Sequence, residues 1–591
     1  MKNLPSVDVV IIGGGWTGLL MAKELGARTS LNVVVLERGE KARSMAEMAE
    51  HMDELDYFTR TRAQQDCSQE TVTLRRNPGE NALPIRQLVN FLPGTGVGGS
   101  GEHWGASYPR LQHDMFEMYS KTVARYGAKK LPAGHAIQDW GITWAEIEPY
   151  YARMEKLVGV CGKAGNIQGK IIEGGDPFEG PRSTEYPMPP GKDAYICSLF
   201  RTAAKQLGYH PFPTSSAINT VTFTNSEGIV RPSCFYCGYC GFFGCMVGAK
   251  AHPSNTLLPI IHKQKSVSIR TGAAVRRIVR DTSANGAAGG GKVRGVTYMD
   301  ASGEEIFQPA DLVFLSSWTF NNARLLFLSQ IGDPYDPVTG KGTLGRNLTH
   351  QVQVSAQGFF DKPFNRFMGG GTTGSRISDF EGDVFDHSSL DFIRGGAISG
   401  LAGGAQPITA FGAVPPSVKR RWGSEWKKAA VEYYDKIGGA GFTGDHIAYK
   451  TNFMDLDPVY KDRFGDPLVR LTIDWNDNER NMVKFMTPKL VELTRAMGAK
   501  EVVPPAPVSH YATTRYQTTH VQGGAIMAGT PDKGVLNPYW QHWQYSNLFV
   551  LGASAFPQQG SANPTSTVLA LTQRTADAVV DRYLKKPGSL V

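Results

Sequence analysis

The run Val7-Asp8-Val9-Val10-Ile11-Ile12 leads without a break into Gly13-Gly14-Gly15-Trp16-Thr17-Gly18 and then into the helical pattern LLMAKELGA. A short buried strand, a glycine turn and a helix in that order open a nucleotide-binding α/β unit. Gly13 permits the tight turn, Gly15 lets backbone N–H groups approach a pyrophosphate at the helix N-terminus, and Gly18 lets the helix lie close on the strand. A second strand, LNVVVLERG, ends in Glu37, nineteen residues beyond Gly18, where a carboxylate accepts the ribose hydroxyls of an adenosine. An acid at that place argues against a 2′-phosphate. This unit alone leaves FAD and NAD both open.

Composition narrows what surrounds the unit. The 591 residues are about three to five domains' worth of chain at roughly 100–200 residues each. With 41% hydrophobic and 20% charged residues, disorder, collagen and coiled coil are excluded. The surplus of 8 positive charges is spread along the chain without a Lys/Arg run, so a nucleic-acid partner is not expected. No apolar stretch approaches the roughly 18 residues of a spanning helix, and the first residues lack a signal-peptide core. The chain is therefore expected to reach a membrane, or leave the cytoplasm, only through a partner.

Four of the seven cysteines, Cys234, Cys237, Cys240 and Cys245, fall in a C-x2-C-x2-C-x4-C run. That spacing is too tight for a disulfide framework and lies near a ferredoxin pattern, with one extra residue before the last cysteine and no proline after it. It favours an iron–sulfur cluster, with zinc and metal-free thiols as the alternatives. The aromatic residues around it, Phe235, Tyr236, Tyr239, Phe242 and Phe243, are read equally as packing or as an electron path. Cys67, Cys161 and Cys197 stand alone and read as ordinary small core residues.

A second glycine cluster, Pro93-Gly94-Thr95-Gly96-Val97-Gly98-Gly99-Ser100-Gly101-Glu102-His103-Trp104, follows some eighty residues after the first. This segment resembles the glucose–methanol–choline (GMC) oxidoreductases, in which it runs along the flavin ring and pyrophosphate. The resemblance implies FAD, with Gly96, Gly98 and Gly99 leaving room for the flat ring and His103 bonded covalently to it. It continues in AAVRRIV (273–279), whose Val275 would lie by the adenine, and in DLVFLSSWTFNNARLLFLSQIG (311–332), a strand, turn and helix beneath the cofactor. Near the C-terminus, Thr518-Thr519-His520-Val521 and Ser561-Ala562-Asn563-Pro564-Thr565 match the family's reacting end. His520 would take the proton of an alcohol and Asn563 would orient its oxygen, while Pro564 and Thr565 touch the cofactor. His542 matches no motif and is read as surface or packing.

The segments ETVTLRRNPGENALPIRQLVNFLPGTGVGGSGEHW, AIQDWGITWAEIEPYY, CFYCGYC, KTNFMDLDP and NLFVLGASAFPQQGSANPTSTVLAL together resemble the flavoprotein subunits of bacterial gluconate-oxidising dehydrogenases. That resemblance implies oxidation of D-gluconate at C2 and a three-iron (3Fe-4S) cluster on three of the four thiolates. It further implies a small chaperone-like subunit bearing the export signal, a multihaem cytochrome c subunit, and a place on the periplasmic face of the inner membrane. Sister dehydrogenases of fructose, sorbitol or keto-gluconate, an oxygen-using alcohol oxidase and a non-catalytic electron-transfer scaffold are the rival readings. The expected fold is α/β with α+β: a Rossmann-like FAD domain from residues near 1–110, 225–345 and 505–591, and a substrate domain on an antiparallel sheet from 111–224 and 346–504. The substrate's anionic group calls for a basic partner that the sequence does not single out.

Overall fold

The computed structural model describes residues 1–40, 67, 70–86, 91–241, 243–281, 291–365, 368–369, 374–401, 414–513 and 518–591. Phe242 and residues 282–290, which include most of the low-complexity stretch GAAGGGK at 286–292, lie outside the described residues. The first strand forms over Val7–Ile12, and the helix after it starts at Trp16, three residues before the LLMAKELGA pattern, and runs to Arg28. The second strand covers Val33–Leu36, each residue buried, as continuous apolar runs in a parallel sheet require.

These strands build one large sheet. Val7–Ile12 pairs in parallel with Val33–Leu36, and Val267–Arg270 adds outside the latter, also parallel. On the other side lies the long strand Glu305–Leu315. Its second half pairs in parallel with Val7–Ile12 and with Leu548–Val550. Its first half, up to Pro309, pairs antiparallel with Val293–Met299, which in turn pairs with Ala274–Arg280. The carboxyl ends at Ile12, Leu36, Leu315 and Val550 therefore share one edge, where open α/β sheets take their ligands. Trp16–Arg28 and Thr319–Leu328 begin just beyond that edge, and the C-terminal helix Thr565–Ala578 packs on Trp16–Arg28.

A second sheet is antiparallel, in the order Val352–Ser355, Gly441–Gly444, Gly396–Leu401, Gly374–Ile377, Phe212–Pro213. Alternation divides its faces. Val352, Val354, Phe442, Ile398 and Ile377 point into an apolar core shared with the helices Tyr195–Gln206 and Asp477–Ala496. The longer helix opens on a capping box between Asn476 and Glu479 and buries Met482, Val483, Met486, Leu490 and Leu493 along one stripe. A third sheet joins the hairpin strands Phe453–Lys461 and Pro467–Thr472 to Thr73–Arg75, tying an early segment of the chain to a late one. Among the described residues no helix is long and apolar enough to cross a membrane.

Candidate active site

A cavity of about 670 Å³ opens at the shared strand edge and runs from Gly13, Gly15 and Glu37 past Gly98, Gly99 and His103 to His520 and Asn563. Val275, Pro564 and Thr565 also line it, whereas Gly18 and Gly96 act from behind its wall. Gly13 has φ +101°, and a Cβ there would lie 2.3 Å from Ser316 O; one at Gly18 would lie 2.1 Å from Gly13 O. A Cβ at Gly15 would meet nothing within 4 Å, because it would project into open space at the start of the Trp16–Arg28 helix. That open place, beside N–H groups without a side-chain cap, fits a phosphate.

Glu37 is buried and organises this end. Its Oε2 accepts the Gly14 N–H at 2.9 Å, and its Oε1 accepts those of Gly39 at 2.9 Å and Gly96 at 3.2 Å. One carboxylate thus locks the first glycine turn to the second, and Gly98 N–H completes the junction by donating to Gly14 O at 2.7 Å. His103 is buried at the end of the short helix Gly99–Glu102, and its neighbour Trp104 donates to Ala251 O at 2.7 Å while meeting Trp16 edge-on.

At the other end of the cavity, sheet register brings the reacting groups together. The two-residue strands Thr349–His350 and Val521–Gln522 pair antiparallel, Thr349 opposite Gln522 and His350 opposite Val521, so the next rung sets Gln351 against His520. His520 Nδ1 lies 2.6 Å from Gln351 Oε1. The Gln351 amide is held in that sense because its Nε2 donates to Gly560 O at 2.5 Å and Ala562 O at 3.0 Å. An amide oxygen has no hydrogen to give, so the network assigns the imidazole proton to Nδ1 and leaves Nε2 as an acceptor. Asn563 Nδ2 sits 3.0 Å from Nε2, and Asn563 Oδ1 accepts from Ser107 Oγ at 2.8 Å. Burial, with His350 nearby, pushes the His520 imidazole down to about 3. It is therefore neutral at neutral pH, with its Nε2 lone pair holding the Asn563 N–H until a substrate hydroxyl takes that place.

His520 and Asn563, expected from sequence, are brought together; Gln351 and Ser107, which orient them, carry no sequence signal, being polar residues in ordinary strand and loop contexts. Gln351→Glu tests the arrangement. A carboxylate against Nδ1 favours the imidazolium, so the folded-state pKa rises and the neutral base is lost at higher pH than in the parent. The acid limb of kcat/KM is expected to move up by about one pH unit or more. A pH profile that does not shift would show that Gln351 does not govern the base.

The cysteine run forms a loop beside the cavity. Cys234 and Cys237 are half-buried, Cys240 and Cys245 buried, and none of the four is in a disulfide. Burial, with the neighbouring thiols, pushes Cys234 up to about 12. Among the described residues no three of His, Cys, Asp or Glu are gathered to hold a metal ion, so the ligand set expected at Cys234, Cys237, Cys240 and Cys245 is not assembled. The loop is shaped instead by the buried Lys250 ammonium, which donates to Cys240 O at 2.8 Å, Phe243 O at 2.6 Å and Trp104 O at 2.7 Å. Cys161 and Cys197 are buried, as expected of small core residues, and Cys67 is half-buried. His542 is buried against Tyr545, which settles it as packing.

Two sequence profiles, both described as GMC oxidoreductase, match residues 448–572 and 189–353. The gluconate 2-dehydrogenase flavoprotein of Pantoea cypripedii is 40% identical over 599 aligned residues, covering 100% of this chain and 96% of that one. The chain belongs to the GMC oxidoreductase family. The fructose dehydrogenase large subunit of Gluconobacter japonicus is 24% identical, with 98% of each chain covered. The pyridoxine 4-oxidase of Mesorbium loti has a similar fold, with a TM-score of 0.59 at 16% identity, covering 97% of this chain and 98% of that one. As a GMC oxidoreductase and a homologue of a gluconate 2-dehydrogenase flavoprotein, the chain is an FAD-dependent oxidoreductase. The cradle at Gly15, the glycine-lined cavity and the histidine at its end are compatible with that cofactor.

Proposed function

We propose that the chain oxidises the C2 hydroxyl of a sugar acid, converting D-gluconate to 2-dehydro-D-gluconate. The observation that carries this reading is the unprotonated Nε2 of His520, which lines the cavity and accepts the N–H of Asn563 Nδ2 at 3.0 Å. The likeness to a gluconate 2-dehydrogenase flavoprotein supports the choice of substrate. Bound FAD supplies the hydride acceptor. Gly13, Gly15, Gly18, Glu37 and the glycines 96, 98 and 99 are proposed to hold its nucleotide part, with Val275 by the adenine, Pro564 and Thr565 by the flavin, and His103 as its covalent attachment. An alcohol oxygen entering at His520 takes the N–H of Asn563 and gives its proton to Nε2 as the hydride leaves its carbon. Asn563 then stays hydrogen-bonded to the carbonyl oxygen without competing for the proton.

The same reading divides the chain into an FAD domain near 1–110, 225–345 and 505–591 and a substrate domain near 111–224 and 346–504. It sends electrons to a multihaem cytochrome c subunit, with a small signal-bearing subunit accompanying export to the periplasmic face of the inner membrane. That a relative is a large subunit supports such an assembly. An iron–sulfur cluster on the cysteine run is the sequence's own suggestion, but the thiols do not fit it here and no step is routed through it.

Anaerobic addition of D-gluconate to the purified protein is expected to bleach the bound flavin, and acid precipitation is expected to carry the flavin down with the protein. Bleaching by fructose or sorbitol in place of gluconate would reassign the substrate, and peroxide formation in air would favour an oxidase. An EPR spectrum with iron analysis tests the cluster.

A further inference from the structure

The face of the five-stranded sheet turned away from its helices is a wall of the cavity. Gln353 pairs with Thr443, Thr443 with Ala397, and Arg376 with Ser399 and Phe212. All six residues line the cavity, and Arg376 is the one charged side chain among them. It is 9% exposed. Its Nη2 donates to Glu381 Oε1 at 2.6 Å, and the same carboxylate oxygen accepts the hydroxyl of Ser561, two residues before Asn563. Glu381 Oε2 faces Gln112 Nε2 at 3.4 Å. The guanidinium is thus fixed two hydrogen bonds from the segment that carries the reacting asparagine.

The other cations of the wall are committed elsewhere. Arg110 holds Glu155 through two bonds at 2.8 and 3.0 Å and Glu148 at 2.9 Å. Lys163 turns outward to Glu185 at 3.0 Å, Arg38 pairs with Glu70 at 2.8 Å, and Arg276 and Arg324 pair with Asp466 and Asp462 in the hairpin at 461–467. Among the described residues, Arg376 has Glu381 as its hydrogen-bond partner, which leaves the Nε and Nη1 donors of a five-donor fork for a second, planar anion. Asp176 lines the same part of the cavity and is pushed up to about 8 by burial and by Glu381 and Glu179, so at neutral pH it adds no negative charge to repel one.

We propose that Arg376, oriented by Glu381, binds the carboxylate of the substrate and so selects a sugar acid over a neutral polyol. This rests on the reaction proposed above. It makes Arg376 a specificity-determining residue in a subsite built from the sheet face, with Gln353, Ser399 and Thr443 as hydroxyl partners along the wall.

The test compares D-gluconate with its neutral amide, D-gluconamide, in the FAD-loaded parent and in Arg376→Lys, Arg376→Gln and the double variant Arg376→Gln/Glu381→Gln. The double variant leaves no unpaired buried carboxylate to burden the fold. Loss of a charge-assisted contact is expected to raise KM for gluconate by about 30-fold or more in Arg376→Gln and in the double variant, with kcat little changed and gluconamide kinetics unaffected. Arg376→Lys is expected to fall between. Equal losses for gluconate and gluconamide, or an unchanged KM for gluconate, overturn the assignment. Calorimetric titration with gluconate separates the two levels: if the parent binds gluconate without oxidising it and Arg376→Gln loses that binding, the carboxylate site stands and the reaction is reassigned. Absence of binding by the parent overturns both.

Discussion

His520→Ala is expected to lower kcat for gluconate oxidation by about 100- to 10,000-fold, the usual contribution of a positioned general base, while the protein keeps its fold and flavin. The expectation follows from what the side chain does and does not hold together. Its Nδ1 contact with Gln351 and its Nε2 contact with Asn563 are both made to side chains with further anchors, Gly560 and Ala562 for one and Ser107 for the other. Removing the imidazole therefore takes away the proton acceptor and leaves the pocket's frame standing. Since burial holds the imidazole down to about 3, the parent should show no acid limb from this group above that pH. Stopped-flow measurement of flavin reduction isolates the step. Because substrate binding does not depend on the lone pair, the loss should appear in the reduction rate and hardly in the apparent affinity. Reduction at the parental rate would remove His520 as the base and leave the chain as a flavin-bearing electron carrier.

Much of this site was legible before any coordinates. The nucleotide end could be read because its chemistry is backbone chemistry: the turn at Gly13 and the crowding at Gly18 and Gly98 demand glycine, Gly15 leaves the helix N-terminus open, and glycine spacing survives in one dimension. His520 and Asn563 were legible through resemblance, since a lone histidine is no signal. Gln351 was not legible, because its role arises from the register that sets Thr349–His350 against Val521–Gln522, a pairing of segments some 170 residues apart in sequence. Arg376 was hidden for a related reason. The chain has 62 basic residues, and what distinguishes this one is which strand face it occupies and which carboxylate it meets. The long strand Glu305–Leu315 also began earlier than its apolar run, because its first half is half-buried and alternates, as an antiparallel partner of Val293–Met299 does. The cysteine run is a different case: its spacing suggests a metal site, whereas the shape of the loop depends on what anchors it, and here the anchor is the Lys250 ammonium on three carbonyls.

Gly13→Ala and Gly15→Ala are both expected to yield protein with at least about tenfold less flavin, for different reasons that melting curves of the flavin-free proteins distinguish. At Gly13 the backbone has φ +101°, which costs an L-residue about 1–2 kcal/mol. The added methyl would also sit 2.3 Å from Ser316 O and 2.9 Å from Ser316 C, main-chain atoms that cannot rotate away. Ser316 is fixed in turn, its N–H donating to Ile12 O at 2.8 Å, while Gly13 N–H donates to Leu36 O at 2.8 Å. The overlap must push apart the carboxyl ends of three neighbouring strands, adding about 1–3 kcal/mol of strain. The apo protein should melt several degrees lower. At Gly15, φ is −84°, which alanine adopts freely, and the methyl would meet no protein atom within 4 Å. The apo protein should therefore melt with the parent, and what the methyl excludes is a ligand's phosphate at the helix N-terminus. Equal destabilisation by the two substitutions would mean that Gly15 serves the fold. Full flavin content in Gly15→Ala would mean that the pyrophosphate lies elsewhere than at the first glycine turn.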